Sequence, residues 1–280
     1  MTGSARRRTD DSRYGERVPL VAAAVCPHPP LLVPEVAGSA APELDGLRAS
    51  CDTAVRRLLA VDPDTVVLLG TGPVTGLIDS PATGSLQPWG VDLDVPLVPG
   101  QPDRGAVLPL SLTIGAWLLS RYDAREHDAR EHDARAHDAR AHDARAHDTR
   151  ESVTAVQVAA DAGPAELAAL ADEVGATGDR VALLVLGDGS ACRGEKAPGY
   201  DDARASAYDE RVARALAEAD LDALLGLDPV VSAELKAAGR APWQVLAGAA
   251  HAAGGGWRGE LLHDSAPYGV AYFVASWERV

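Results

Sequence analysis

The stretch VPLVAAAVCPHPPLLVPEV, Val18 to Val36, decides how this chain is read. From Val18 to Cys26 it is a run of small and branched apolar residues interrupted only by Pro19. Such a run, without polar alternation, is the pattern of a strand buried on both faces. It then meets Cys26-Pro27-His28-Pro29-Pro30. Proline has no N–H to give to a sheet ladder, so Pro27, Pro29 and Pro30 carry the chain out of the sheet. His28 is thereby set at the mouth of a buried strand, where the restricted backbone on either side holds its imidazole. Cys26 and His28, two residues apart at a strand end, share a side of the sheet.

The same alternation recurs downstream. Pro42–Val61 places Leu44, Leu47, Cys51, Val55, Leu58 and Leu59 on one helical face. TVVLLG (Thr65–Gly70) is a short apolar strand ending in glycine. WGVDLDVPLV (Trp89–Val98) alternates but contains proline, the mark of an edge strand or a loop. Leu108–Tyr122 is helical, VTAVQVAA (Val153–Ala160) a strand, Pro164–Val174 a helix and RVALLVLGDGS (Arg180–Ser190) another buried strand. Tyr200–Leu225 reads as one long helix, and Asp228–Ala238 and Pro242–Ala253 as shorter ones. Trp257–Asp264 and Tyr268–Trp277 close the chain as strands. Strands alternating with helices predict an α/β fold: a parallel or mixed central sheet between helical layers, a three-layer α/β/α sandwich. Ligands of such sheets bind beyond the carboxyl ends of the strands. The loops CPHPP, GTGPVTG and GDGSACRG are therefore where chemistry is expected.

Residues 18–280 are expected to form one domain and residues 1–17 a disordered tail. The basic start followed by an apolar run ending at Cys26 imitates an export signal. The run is short, however, and Asp10, Asp11 and Glu16 interrupt the basic segment. No segment approaches the roughly 20 apolar residues of a membrane span. A net charge of −15 speaks against nucleic acid and anionic membranes as partners, since both need clustered Lys and Arg. Cys26, Cys51 and Cys192 are too few and too widely spaced for a disulfide framework or a zinc knuckle, and fit free thiols in the cytoplasm.

Residues 123–151 are a five-residue repeat, DAREH then DARAH, holding five of the eight histidines. Five residues advance a helix by about 500°, so successive histidines step around it by about 140° and form no stripe. The segment reads as an expanded repeat, tolerated as a solvated helical extension or a disordered loop. Adventitious metal binding is the competing reading.

Within the three loops the candidates are few. Asp188 and Ser190 stand at the end of a strand, where an aspartate caps a turn or serves as ligand or base. Cys26 beside His28 is either a buried structural thiol or a reactive one. His251 and His263 read as ordinary polar residues, and Ser265 as a loop residue near the same cleft. GDGSA lacks the elbow of a serine hydrolase, and GTGPVTG lacks the Lys and Ser/Thr of a phosphate loop.

The order of these phrases resembles the class III extradiol ring-cleavage dioxygenase superfamily, in its branch of B-type subunits that includes the Memo-like proteins. AAAVCPHPPLLVPEV is similar to its first strand and metal-binding histidine loop, matching His28. DTVVLLGTGP is similar to its second strand, LLVLGDGSACRG followed by YDERVARAL to its Asp-Leu-Ser-His phrase and long helix, and PWQVLAGAA and APYGVAYFVASW to its last helix and strand. The resemblance implies the fold of that branch and, in active members, Fe(II) held by two histidines and a carboxylate, a facial triad with open positions. Here Gly72 stands at the second histidine position and Ala191 at the histidine ending the Asp-Leu-Ser-His phrase. Gly239-Arg240-Ala241-Pro242 stands before Trp243 where the carboxylate ligand is expected.

The expectation is therefore a divergent member without a full iron site and with no predicted cofactor. It binds a small molecule or a protein partner at a degenerate cleft. His28 is the catalytic candidate, and Cys26, Gly72, Asp188, Ser190, Trp243 and Ser265 line the cleft. The alternative is an active, Fe(II)-dependent ring-cleavage dioxygenase or related oxidoreductase with an unorthodox ligand set. The sequence leaves a homo-oligomer open.

Overall fold

A computed structural model describes residues 20–100, 105–136 and 153–280. The expected N-terminal tail, the first two residues of the Val18–Cys26 strand and the repeat beyond Ala136 lie outside the described residues. In chain order the elements are β1 (Leu20–Cys26), α1 (Pro34–Ala37), α2 (Asp45–Leu59), β2 (Thr65–Gly72), β3 (Gly76–Ile78), β4 (Ala82–Ser85), β5 (Asp94–Pro96), β6 (Ala106–Val107) and α3 (Leu110–Ala136). They continue with β7 (Val153–Ala159), α4 (Pro164–Gly175), β8 (Val181–Leu186), α5 (Ala205–Glu218), α6 (Leu221–Leu225), α7 (Pro229–Glu234), α8 (Arg240–Ala253), β9 (Trp257–Ser265) and β10 (Tyr272–Arg279).

Seven strands form one mixed sheet in the order β3-β7-β2-β8-β1-β10-β9. The four inner strands β7, β2, β8 and β1 run parallel. β3 joins one side antiparallel to β7, and the β9–β10 hairpin joins the other side antiparallel to β1. β4, β5 and β6 form a separate small sheet. Every residue of β8 is buried, as its run VALLVL requires of a strand with partners on both sides and helices on both faces.

Alternate residues of each inner strand enter two different cores. Ala22, Ala24, Cys26, Val66, Leu68, Ala182, Leu184 and Leu186 pack with α2 and α3. Leu20, Ala23, Val25, Val67, Leu69, Leu183 and Val185 pack with α4, α5 and α8. The molecule is an α/β sandwich of helix, mixed sheet and helix.

Three sequence expectations shift. The segment expected as one helix over Tyr200–Leu225 is two, α5 and α6. Ala219 turns left-handed at φ 51°, and the Asp220 side chain accepts from the Ala223 N–H to start α6 afresh, a cap that a long apolar pattern hides. The Pro42–Val61 helix begins as a 3-10 turn over Gly38–Leu44, and α2 starts at Asp45. The helix expected to end at Tyr122 runs on through the first repeats to Ala136, fastened by Arg121 and Arg125 to Asp52 of α2.

Candidate functional site

β1 leads to α2 on one face of the sheet, and its neighbour β8 leads to α5 on the other. Neighbouring strands whose chains leave to opposite faces open a crevice at their carboxyl ends. His28 and Asp188 stand just beyond those carboxyl ends, where the topology calls for such a crevice. The His28 backbone N–H donates to Asp188 Oδ1 at 2.8 Å, and His28 Nδ1 lies 3.6 Å from the same oxygen. Both side chains are largely covered, at 11% and 13% exposure. Burial pushes the Asp188 carboxyl above its ordinary value, against the opposing pull of the His28 imidazole and N–H. His28 Nδ1 is buried without a hydrogen-bond partner among the described residues.

The strand registers explain why these residues meet. Gly70 pairs with Leu186, Leu186 with Cys26, and Val25 with Ala275. Two residues further on, one level of the sheet holds Gly72, Asp188, His28 and Tyr272. The period of two keeps all four on the α2–α3 face. Tyr272 is buried, and its phenol is pushed up by that burial and by the neighbouring Asp188.

Gly72 sits at the edge of this group. A β-carbon on it would fall 2.2 Å from Gln157 Oε1, so the Gln157 side chain of β7 occupies the space above Gly72. Gln157 was not among the sequence candidates. The signal was present: it is the only amide, acid or base in VTAVQVAA, placed near the strand's carboxyl end.

The other candidates belong elsewhere. Ser190 is fully buried and both its polar groups are committed: its N–H donates to Asp209 Oδ1 at 2.8 Å and its hydroxyl to Asp209 Oδ2 at 2.6 Å. Arg193 completes the set at 3.3 Å from Asp209 Oδ2. This cluster ties the loop after β8 to α5. Ser190 still lies within two residues of Asp188, hence within about 7 Å of it along the chain. Cys26 points into the α2 core beside Cys51, both without exposure, and is a structural thiol. Trp243 does not line the cleft. It is fully buried on the opposite face, edge-on to Phe273 at 6.1 Å and pressed against Gly187 and Gly239. Those two glycines approach so closely that a β-carbon on Gly187 would meet Gly239 Cα at 2.5 Å. Ser265 ends the outermost strand β9, hydrogen-bonded to His263 Nε2 at 2.7 Å.

Arg240, in the stretch where the resemblance leads one to expect a carboxylate ligand, is a strut. Buried at the start of α8, it donates to the carbonyls of Ala160 and Ala162 and to Gln244 Oε1. Beside it a cavity of about 630 Å³ is lined by Asp161, Ser232, Glu234, Lys236 and Arg240. Glu234 is already paired with Arg204 at 2.6 Å.

A facial triad needs three donors. His28 and Asp188 supply an imidazole and a carboxylate. Gly72 and Ala191 supply nothing, and no group of three His, Cys, Asp or Glu side chains converges among the described residues. The residues present do not fit an Fe(II) centre of that kind.

No protein family and no curated protein matches this sequence. A solved structure of the uncharacterized protein JW3007 from Escherichia coli K12 is similar over 92% of this chain and 99% of its own. It is 12% identical, with a TM-score of 0.38. No helix among the described residues is long and apolar enough to cross a membrane.

Proposed function

We propose that the chain is a divergent protein of the extradiol dioxygenase superfamily, of the B-type fold, whose crevice binds a small polar molecule without an iron centre. One observation carries this reading. His28 and Asp188, 160 residues apart, share a hydrogen bond at the carboxyl ends of β1 and β8, and His28 Nδ1 is left buried with an open valence. A buried imidazole nitrogen without a partner costs on the order of 1–3 kcal/mol, which a bound ligand recovers. With a carboxyl raised by burial beside it, the pair can donate, accept and exchange a proton with that ligand. The second reading, an Fe(II) oxygenase with an unorthodox ligand set, draws on the same imidazole and carboxylate and lacks a third donor.

A thermal-shift screen of small polar compounds tests the reading. Hits are expected to lose at least tenfold in affinity in His28→Ala. Hits whose affinity is unchanged in both His28→Ala and Asp188→Asn would put the binding site elsewhere and end this proposal.

A further inference from the structure

Gln157 turns the crevice from a remnant into a site with a definable preference. It lies on β7, flanked by Gly70 of β2 and Gly76 of β3. Val153 and Ala155 of the same strand enter the α2–α3 core, so Gln157, in phase with them, faces the side that carries Asp188 and His28. Its amide oxygen lies over Gly72, in the place a β-carbon would take. Gly72 in turn stands at the level of Asp188, one strand away, a separation of about 4.8 Å. Half-buried, the Gln157 amide has no hydrogen-bond partner among the described residues. A glycine at 72 is what leaves room for that amide to lean toward the aspartate.

Three polar groups thus stand on one face at the carboxyl ends of four neighbouring strands, β7, β2, β8 and β1: the Gln157 amide, the Asp188 carboxyl and His28 Nδ1. Their chemistry is selective. The side chain paired with Asp188 is the His28 imidazole, and the arginine of this loop, Arg193, is engaged with Asp209 on the other side. A carboxylate or phosphate entering here would face Asp188 without a guanidinium or ammonium to receive it. A neutral group that both donates and accepts matches every partner. Its N–H is taken by Asp188 or the Gln157 oxygen, and its carbonyl by the Gln157 amide N–H or His28.

Building on the ligand-binding reading of this crevice, we infer that Gln157 is its specificity-determining residue and that the ligand class is an uncharged amide or amide-like heterocycle rather than an organic acid. The side chain reads the ligand directly; it does not act through His28.

Benzamide and benzoate are a matched pair for the test, of one size and shape, differing in the group the site is said to read. Titration of the full chain, followed by isothermal calorimetry, is expected to show benzamide binding at least tenfold tighter than benzoate. Gln157→Leu, close in volume, should abolish that preference by weakening benzamide about tenfold. Gln157→Glu should move the preference to the cation benzamidine. Tighter binding of benzoate, or of neither probe, would overturn the inference. Benzamide binding lost in His28→Ala but unchanged in both Gln157 variants would overturn the role of Gln157 while leaving the crevice as a binding site. Binding insensitive to His28→Ala would overturn the underlying reading instead.

Discussion

The behaviour of the site rests on one carboxyl group. Asp188 is held above its ordinary value of 3.8 because burial disfavours its charge more than His28 stabilises it. A folded-state value raised above the unfolded one means that the native state binds the proton more tightly. The resulting stabilisation is complete below pH 3.8 and is lost as the pH rises through the raised value. Asp188→Asn keeps an acceptor for the His28 N–H but removes the ionisation. Urea unfolding should therefore find the variant more stable than the parent chain at about pH 7, with the gap closing as the pH approaches about 4. A gap that widens toward acid would mean that Asp188 is a stabilised carboxylate, its environment the reverse of the one described. The adjacent residues show what was legible beforehand. His28 could be placed at a strand mouth from its prolines alone. Trp243 could not be assigned a face, because the sequence does not reveal that Gly187 and Gly239 close over it.

At the scale of elements, the loop after β8 is the joint that matters. Its start carries Asp188 toward the α2–α3 face, and Ser190 turns to the opposite side, where Asp209 of α5 receives it. The buried Asp209 carboxylate accepts from the Ser190 N–H, the Ser190 hydroxyl and Arg193, and its removal strands all three. Asp209→Ala should cost about 2 kcal/mol or more, from leaving the buried Ser190 N–H and hydroxyl unpaired, as read from the denaturation midpoint. A loss below about 1 kcal/mol would show that the loop is held by its backbone bonds to Ala271, Leu235, Gly239 and Gly269. The long strands of the main sheet were readable because continuous apolar runs such as Val181–Leu186 have few other uses. The short strands β3, β4 and β6 were not, being two to four residues long and without a hydrophobic pattern of their own. The break between α5 and α6 was hidden because Ala219 carries no residue signal for a left-handed turn.

For the whole molecule, the sheet order is what gathers residues from four distant segments onto one edge: Gly72, Gln157, Asp188 and His28. That order was foreseeable only as a class, since apolar strands do not announce their neighbours; the registers, once known, make the convergence a matter of counting by two. The central claim is that this edge is a polar ligand site and not an iron centre, and anaerobic Fe(II) loading tests it most directly. A chain lacking residues 126–150 serves best. It removes all five repeat histidines, keeps the Arg121 and Arg125 pairs with Asp52, and deletes a segment without an apolar face. After loading and desalting, metal analysis should find iron well below one equivalent, about 0.1 or less, unchanged by His28→Ala; an imidazole and a carboxylate without a third donor do not retain it. One full equivalent of iron that disappears in His28→Ala would contradict the account.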